Sequence, residues 1–204
     1  MSKGYKILYF FLAPFFRLIC GVKIVNPQNE PDEPFFICSN HLSALDPIII
    51  AACLKKHLPR YMGKKSLFKI PLLGWLIKAF GAFPVDRGAG VEGIKKSIEI
   101  LNNGECVGIF PQGHRNPGVD PRKTEIKNGV GMIEARTKSL VFPVCLKTKG
   151  YKAPLFRRTY VIFGDPIRYE EFEINEEDSS AEKNRKITEY VFDKICTLGE
   201  AYES

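Results

Sequence analysis

Short runs rich in β-branched and aromatic residues alternate along this chain with longer stretches whose apolar positions recur at helical spacing. Val22–Val25, Phe35–Cys38, Arg60–Met62, Ala82–Val85, Cys106–Phe110, Leu140–Leu146 and Thr159–Phe163 read as strands. Helical patterns fill 47–57, 66–79 (broken near Pro71), 91–103, 128–138 and 180–198. The helix at 91–103 is the most sharply marked. Val91, Ile94, Ile98 and Leu101 share one face, and Gly104 sits where a left-handed cap belongs. Ile187, Tyr190, Val191 and Ile195 give the last helix its inner side. The alternation predicts one α/β domain over residues 21–204, with a mixed, largely parallel sheet flanked by helices. No repeat or linker interrupts it, and the acidic stretch 170–178 reads as a surface loop.

The first 20 residues break the pattern. Ile7 to Cys20 is apolar and aromatic, interrupted only by Pro14 and Arg17, and follows Lys3 and Lys6. A spanning helix needs about 20 apolar residues, so this segment is too short to cross a bilayer. It also lacks the small-residue cleavage site of a signal peptide. Residues 1–20 are expected to form a helix lying in the headgroup region, on the membrane rather than through it. The alternative is a helix packed on the domain's own core.

Charge sharpens the picture. The 204 residues carry a net +7, unevenly spread: 25 basic against 11 acidic side chains before Gly164, and 5 against 12 from there on. A basic body calls for an anionic partner, whether lipid headgroups, a phosphorylated substrate or nucleic acid. The acidic tail reads as a solvated helix face. The six cysteines form no CxxC pair and no metal-ligand spacing with the histidines. Neither a disulfide framework nor a bound metal is expected, and a reducing compartment fits.

Three polar clusters set in apolar blocks carry the chemistry. They are Asn40-His41-Leu42-Ser43-Ala44-Leu45-Asp46, Phe83-Pro84-Val85-Asp86-Arg87 and Phe110-Pro111-Gln112-Gly113-His114-Arg115, followed by an apolar block at 141–144. On one regular helix His41 and Asp46 would point about 140° apart. Asp46-Pro47 instead reads as an N-cap with proline at the first helical position, leaving His41 in the loop before it. That loop can return the ring to the carboxylate, which would fix one imidazole nitrogen and leave the other as a base. Ser39 and Ser43 are explicable as loop residues. Arg87 and Arg115 each follow a strand, where open α/β sheets place ligands, and together suit an anion. Gly113 would let backbone approach that ligand closely.

These blocks, in this order and spacing from about Phe35 to Gly164, resemble the HxxxxD acyltransferases of glycerophospholipid synthesis, most closely the bacterial 1-acylglycerol-3-phosphate acyltransferases. The resemblance implies the glycerol-3-phosphate acyltransferase-like form of the sheet and a reaction at the cytoplasmic face of a membrane. There His41 takes the proton of an acceptor hydroxyl as it attacks an acyl thioester. It implies that Arg87 and Arg115 hold the acceptor's phosphate, and that the thioester, acyl-CoA or acyl carrier protein, is a substrate, with no resident cofactor. The family's third block usually reads Phe-Pro-Glu-Gly-Thr/Ser-Arg. Gln112 and His114 depart from it, and Gln112 is expected to grip the acceptor differently or to mark a different acceptor. Gly63-Lys64-Lys65 also resembles a family segment. Either Lys64 or Lys65 is a candidate to face the thioester or phosphate, with a solvated lysine as the alternative. Lys127-Asn128-Gly129 matches a position that opens the next helix.

Three substrates stay open within this reading: 1-acylglycerol 3-phosphate, glycerol 3-phosphate and a phosphate-free lyso-lipid. A non-catalytic basic module binding membrane or nucleic acid is the competing class. It leaves the His41–Asp46 pair unexplained, and the chain shows no nucleic-acid fold signature.

Overall fold

The computed structural model describes residues 12–86 and 90–202. Seven strands among them form one sheet: β1 (Val22–Val25), β2 (Phe35–Ser39), β3 (Arg60–Lys64), β4 (Phe83–Val85), β5 (Val107–Ile109), β6 (Leu140–Thr148) and β7 (Thr159–Phe163). Across the sheet they run β1-β7-β6-β2-β5-β3-β4. β6 and β7 are antiparallel; the other neighbours are parallel. The mixed, largely parallel sheet expected from the alternation is the one observed.

Six α-helices among the described residues cover it: α1 (12–19), α2 (Asp46–Cys53), α3 (Leu73–Ala79), α4 (Gly90–Asn102), α5 (Gly129–Thr137) and α6 (Ser180–Glu200). β2 is buried at all five positions because both faces of the sheet are covered. Phe36 and Cys38 pack with Leu101 of α4, Ile133 of α5 and Val191 of α6. Phe35 and Ile37 face the opposite layer with Ile49, Ile50 and Cys53 of α2. The carboxyl ends of β2, β3, β4 and β5 therefore share one sheet edge, with β2 and β5 at its centre.

Several ends differ from the sequence reading, each for a local reason. α2 stops at Cys53 rather than continuing to 57. The buried Glu30 carboxylate accepts from the amides of Lys55 (2.6 Å), Lys56 (2.8 Å) and His57 (3.1 Å), and draws that backbone out of the helix. Residues 66–79 split into a 3-10 turn, Lys65–Lys69, and α3. On α4 the buried positions are Gly93, Ser97, Ile100 and Leu101, so Val91 is left exposed. Gly104 takes φ +73° just past that helix, as a cap glycine should. All six cysteines are free and buried.

α1 is partly built into the domain. Ala13 and Phe16 are buried, and Phe16 packs with Ile48 and Ala51 of α2 and with Phe80. Arg17 Nε donates to the Ala52 carbonyl at 2.7 Å, near the end of α2 where carbonyls lack helical partners. The opposite side leaves Phe15 and Leu18 exposed. The rest of the expected N-terminal helix, residues 1–11, lies outside the described residues. No helix among the described residues is long and apolar enough to cross a membrane.

Candidate active site

His41 stands two residues past the end of β2, in a loop held from several sides. Asn40 is fully buried, and its side chain forms two hydrogen bonds with the backbone of Leu146 on β6. Nδ2 donates to the carbonyl at 2.9 Å, and Oδ1 accepts from the amide at 2.7 Å. The His41 carbonyl accepts from the Asn116 amide (2.8 Å), which ties this loop to the one after β5.

The loop returns the imidazole to Asp46, with Nδ1 at 2.7 Å from Oδ2. Asp46 does not cap its helix forward, as the sequence suggested. It is the first residue of α2, after the N-cap position Leu45, and its carboxylate turns back to the loop. Oδ2 also accepts from the amides of Leu42 (2.6 Å) and Ser43 (2.7 Å), and Oδ1 from the Ser43 hydroxyl (2.9 Å). A carboxylate already accepting from these donors accepts from His41 as well. In the neutral ring this puts the proton on Nδ1 and leaves the lone pair on Nε2. Phe110 stacks on the imidazole at 3.9 Å between centroids and 10° between planes, which fixes the ring plane.

His41 borders a cavity of about 540 Å³, within the roughly 300–1,000 Å³ typical of ligand sites. Its walls are chiefly apolar: Tyr61 and Met62 of β3, Val85 of β4, Val91 and Ile94 of α4, and Met132 of α5. Gly108 of β5 makes room for its floor. A Cβ there would lie 2.1 Å from the Tyr61 ring, which occupies the space a side chain would need. Lys127 is the cation on the cavity's rim, beside Asn128 at the start of α5.

The remaining predicted residues divide. Gly113 lines the cavity at φ +70°, with the Lys127 side chain passing where its Cβ would be. Arg115 is exposed, next to the Asn116 strut, with no ion pair among the described residues. Arg87 lies outside the described residues. Lys64 is exposed at the end of β3 and does not line the cavity, while Lys65 pairs with Asp86 at 3.1 Å.

Gln112 is a correction. It is 1% exposed, and its amide faces the protein rather than a ligand. Oε1 accepts from the His41 amide at 2.7 Å, and Nε2 donates to the Thr124 hydroxyl at 2.8 Å. It braces the loop that carries His41.

Sequence reasoning missed Phe110 as a support for His41 and Ser43 as an orienter of Asp46, and gave Lys127 no firm role. Position offered a signal for two of them: Phe110 ends a strand beside the third polar block, and Ser43 lies inside the first.

Residues 21–147 match the family model described as Acyltransferase. The chain is similar to the 1-acyl-sn-glycerol-3-phosphate acyltransferase of Bacillus subtilis (strain 168), 33% identical over 156 residues, covering 74% of this chain and 76% of the relative. It is similar to the enzyme of the same name from Streptococcus pneumoniae, 28% identical over 169 residues, covering 78% of this chain and 60% of that protein. In fold it matches the crystal structure of the 1-acyl-sn-glycerophosphate acyltransferase PlsC from Thermotoga maritima. That match has a TM-score of 0.69 at 21% identity, over 100% of this chain and 86% of the other. The matched segment holds His41, Asp46 and the cavity that His41 borders, and the chain belongs to the acyltransferase family.

Proposed function

We propose that this acyltransferase moves a fatty acyl group from a thioester to the 2-hydroxyl of 1-acyl-sn-glycerol 3-phosphate, giving phosphatidic acid. One observation carries the reading: an imidazole with Nδ1 committed to Asp46 borders an apolar cavity with a cation on its rim. The acceptor hydroxyl binds at Nε2 of His41. As its oxygen attacks the thioester carbonyl carbon, its proton passes to Nε2, and Asp46 holds the resulting imidazolium. Collapse of the tetrahedral intermediate breaks the C–S bond, and the proton goes from Nε2 to the departing sulfur. General-base assistance of this kind contributes about 10²–10⁴-fold.

The apolar walls take an acyl chain, since burying methylenes is favourable and demands nothing from the protein's polar groups. Arg115 and Lys127, with Arg87, supply charge for the acceptor's phosphate. Arginine is suited to bidentate contacts, lysine to a point charge. Residues 1–20 hold the protein on the cytoplasmic face of the membrane, and the exposed Phe15 and Leu18 support this. The carrier on the thioester is coenzyme A or acyl carrier protein; the basic body suits the acidic protein and anionic lipid alike.

Gln112 bears on the choice of acceptor. Its amide is used up inside the protein, so its departure from the family's glutamate alters the scaffold behind His41 rather than the acceptor pocket. This favours a phosphate-bearing acceptor over a phosphate-free lyso-lipid, and the apolar cavity favours one that carries an acyl chain over glycerol 3-phosphate. The test is turnover of each of the three acceptors with acyl-CoA and with acyl carrier protein. Preference for lysophosphatidic acid supports the reading, and preference for a phosphate-free lyso-lipid overturns it.

A further inference from the structure

The sheet edge that carries His41 also carries strongly exposed apolar side chains on both sides of the site. On one side is the β6–β7 loop. β6 runs parallel to β2, with Val144 level with Ser39, and continues to Thr148, so the loop rises beyond the edge where His41 stands. At its tip Phe156 is 82% exposed, beside the exposed Leu155. Lys152, Arg157 and Arg158 in the same loop are exposed as well.

This tip is fastened to its surroundings. The Phe156 amide donates to the Ile19 carbonyl at 2.9 Å, which sets it against α1, where Leu18 is 80% exposed. The Gly118 amide donates to the Tyr151 carbonyl at 2.8 Å, which joins the loop to the segment bearing Arg115. Phe156 sits at φ +55°, a conformation a bulky side chain rarely adopts, so the fold holds this ring outward against a local preference.

Strand order puts a second cluster on the other side of β2, past the carboxyl end of β3. Leu67, Ile70, Leu72 and Trp75 are exposed there, with Lys64, Lys65 and Lys69 nearby. Bulky apolar side chains ringed by lysine and arginine match a surface that is apolar a few ångströms down and anionic at the top.

We propose that this edge is a lipid-binding face with two contacts, the Leu155–Phe156 tip beside α1 and the Leu72–Trp75 turn, which together turn His41 toward an anionic bilayer. The inference extends the membrane reading of residues 1–20 to parts of the catalytic domain. Leu155 and Phe156 enter the acyl region, while Arg157 and Arg158 stay at the headgroups, each basic side chain adding to the attraction. The acceptor then reaches His41 along the surface in which it is already dissolved.

The test measures binding of the full chain to phosphatidylglycerol–phosphatidylcholine vesicles, alongside turnover of a short-chain acceptor below its micelle concentration. L155S/F156S is expected to weaken vesicle binding about tenfold or more and to leave turnover of the dispersed substrate unchanged. R157Q/R158Q is expected to weaken binding several-fold on anionic vesicles and little on neutral ones. Trp75 is the chain's sole tryptophan, so its emission reports the second contact and should shift to the blue on anionic vesicles.

Should the double serine variant fail to fold, F156W in a W75F background decides the point, with a blue shift on vesicle binding expected. Unchanged vesicle affinity in L155S/F156S, or F156W emission that stays aqueous while the protein is bound, would overturn the proposal. So would a loss confined to turnover with acyl carrier protein, which would make the tip a protein-docking surface. Vesicle binding without turnover of any acceptor would instead defeat the acyl-transfer reading and leave this one standing.

Discussion

Asp46 and Glu134 are both acidic side chains with no exposed surface, and they differ in what surrounds them. Asp46 accepts from two amides, a hydroxyl and an imidazole. Glu134, inside α5, has no close hydrogen bond to either oxygen among the described residues, with the Ser139 amide the donor nearby. Burial pushes its carboxyl up to about 8, and the nearby Ser139 amide offsets only part of that. Burial alone thus produces a neutral acid. Burial with donors produces a fixed acceptor that can orient a base. Among the described residues Asp46 has four donors and Glu134 at most the Ser139 amide, and it is Asp46 that holds the histidine bordering the cavity.

Asp46→Asn should have the largest effect. The amide nitrogen of Asn would face the Leu42 or Ser43 amide, or present a donor to Nδ1 and favour the wrong tautomer. Turnover is expected to fall by about 10²–10⁴-fold, the range that general-base assistance supplies. Stability should drop by about 1–3 kcal/mol as buried donors lose their acceptor. Turnover and thermal melting of the same preparation check both, and a variant that kept near-normal turnover would erase the distinction drawn here.

Glu134→Gln tests the other member of the pair. The folded-state pKa of Glu134 is raised, so the folded protein binds more protons than the unfolded chain between about 4.5 and about 8. Stability from this group is fully present below that window and is lost as pH rises through it. Glu134→Gln should therefore flatten the pH dependence of melting, raising stability at pH 8 by a few kcal/mol relative to wild type, at roughly 1.4 kcal/mol per unit. At pH 5 it should change little, and turnover should be near normal at both. A variant whose melting still tracks wild type across this window would show that Glu134 is not held neutral.

A second contrast lies within the site. Asp46 and Nδ1 of His41 are partnered inside the protein, whereas Lys127 at the cavity and Arg115 in the loop after β5 are exposed. Arg115→Ala or Lys127→Ala should weaken acceptor binding by about 1.5–3 kcal/mol, the worth of a charge-assisted bond, with much less effect on the donor. Separate KM values for acceptor and donor provide the check, and loss of donor affinity alone would reverse the assignment.

The smallest expected effect is on specificity. Gln112→Glu restores the usual family block but places a carboxylate behind His41, where only the backbone amide and Thr124 meet it. The ratio of turnover on phosphate-bearing to phosphate-free lyso-lipids should stay the same. A marked change in that ratio would put position 112 back in the acceptor pocket.

Much of this could be read from the chain, and the parts that could not share a cause. The sheet was legible because β2 and β6 are buried on both faces and so read as unbroken apolar runs. His41 and Asp46 were legible because the proline after Asp46 forces a helix start and leaves the histidine in a loop. What local pattern could not give was direction. Asp46 turns back rather than forward, and Gln112 points inward rather than to the ligand. Glu30 ends α2 from 25 residues away in sequence. Each depends on a partner supplied by another element. Lys127 reaches the rim because α5 starts beside the loop after β5, a contact fixed by packing and invisible in its neighbours.

The central claim is that His41, oriented by Asp46, is the base for acyl transfer, and turnover of lysophosphatidic acid by His41→Ala tests it most directly. The account predicts a loss of about 10²–10⁴-fold with melting temperature and lysophosphatidic acid affinity close to wild type. A His41→Ala protein that folds, binds the acceptor and retains more than about a tenth of the wild-type rate would contradict it.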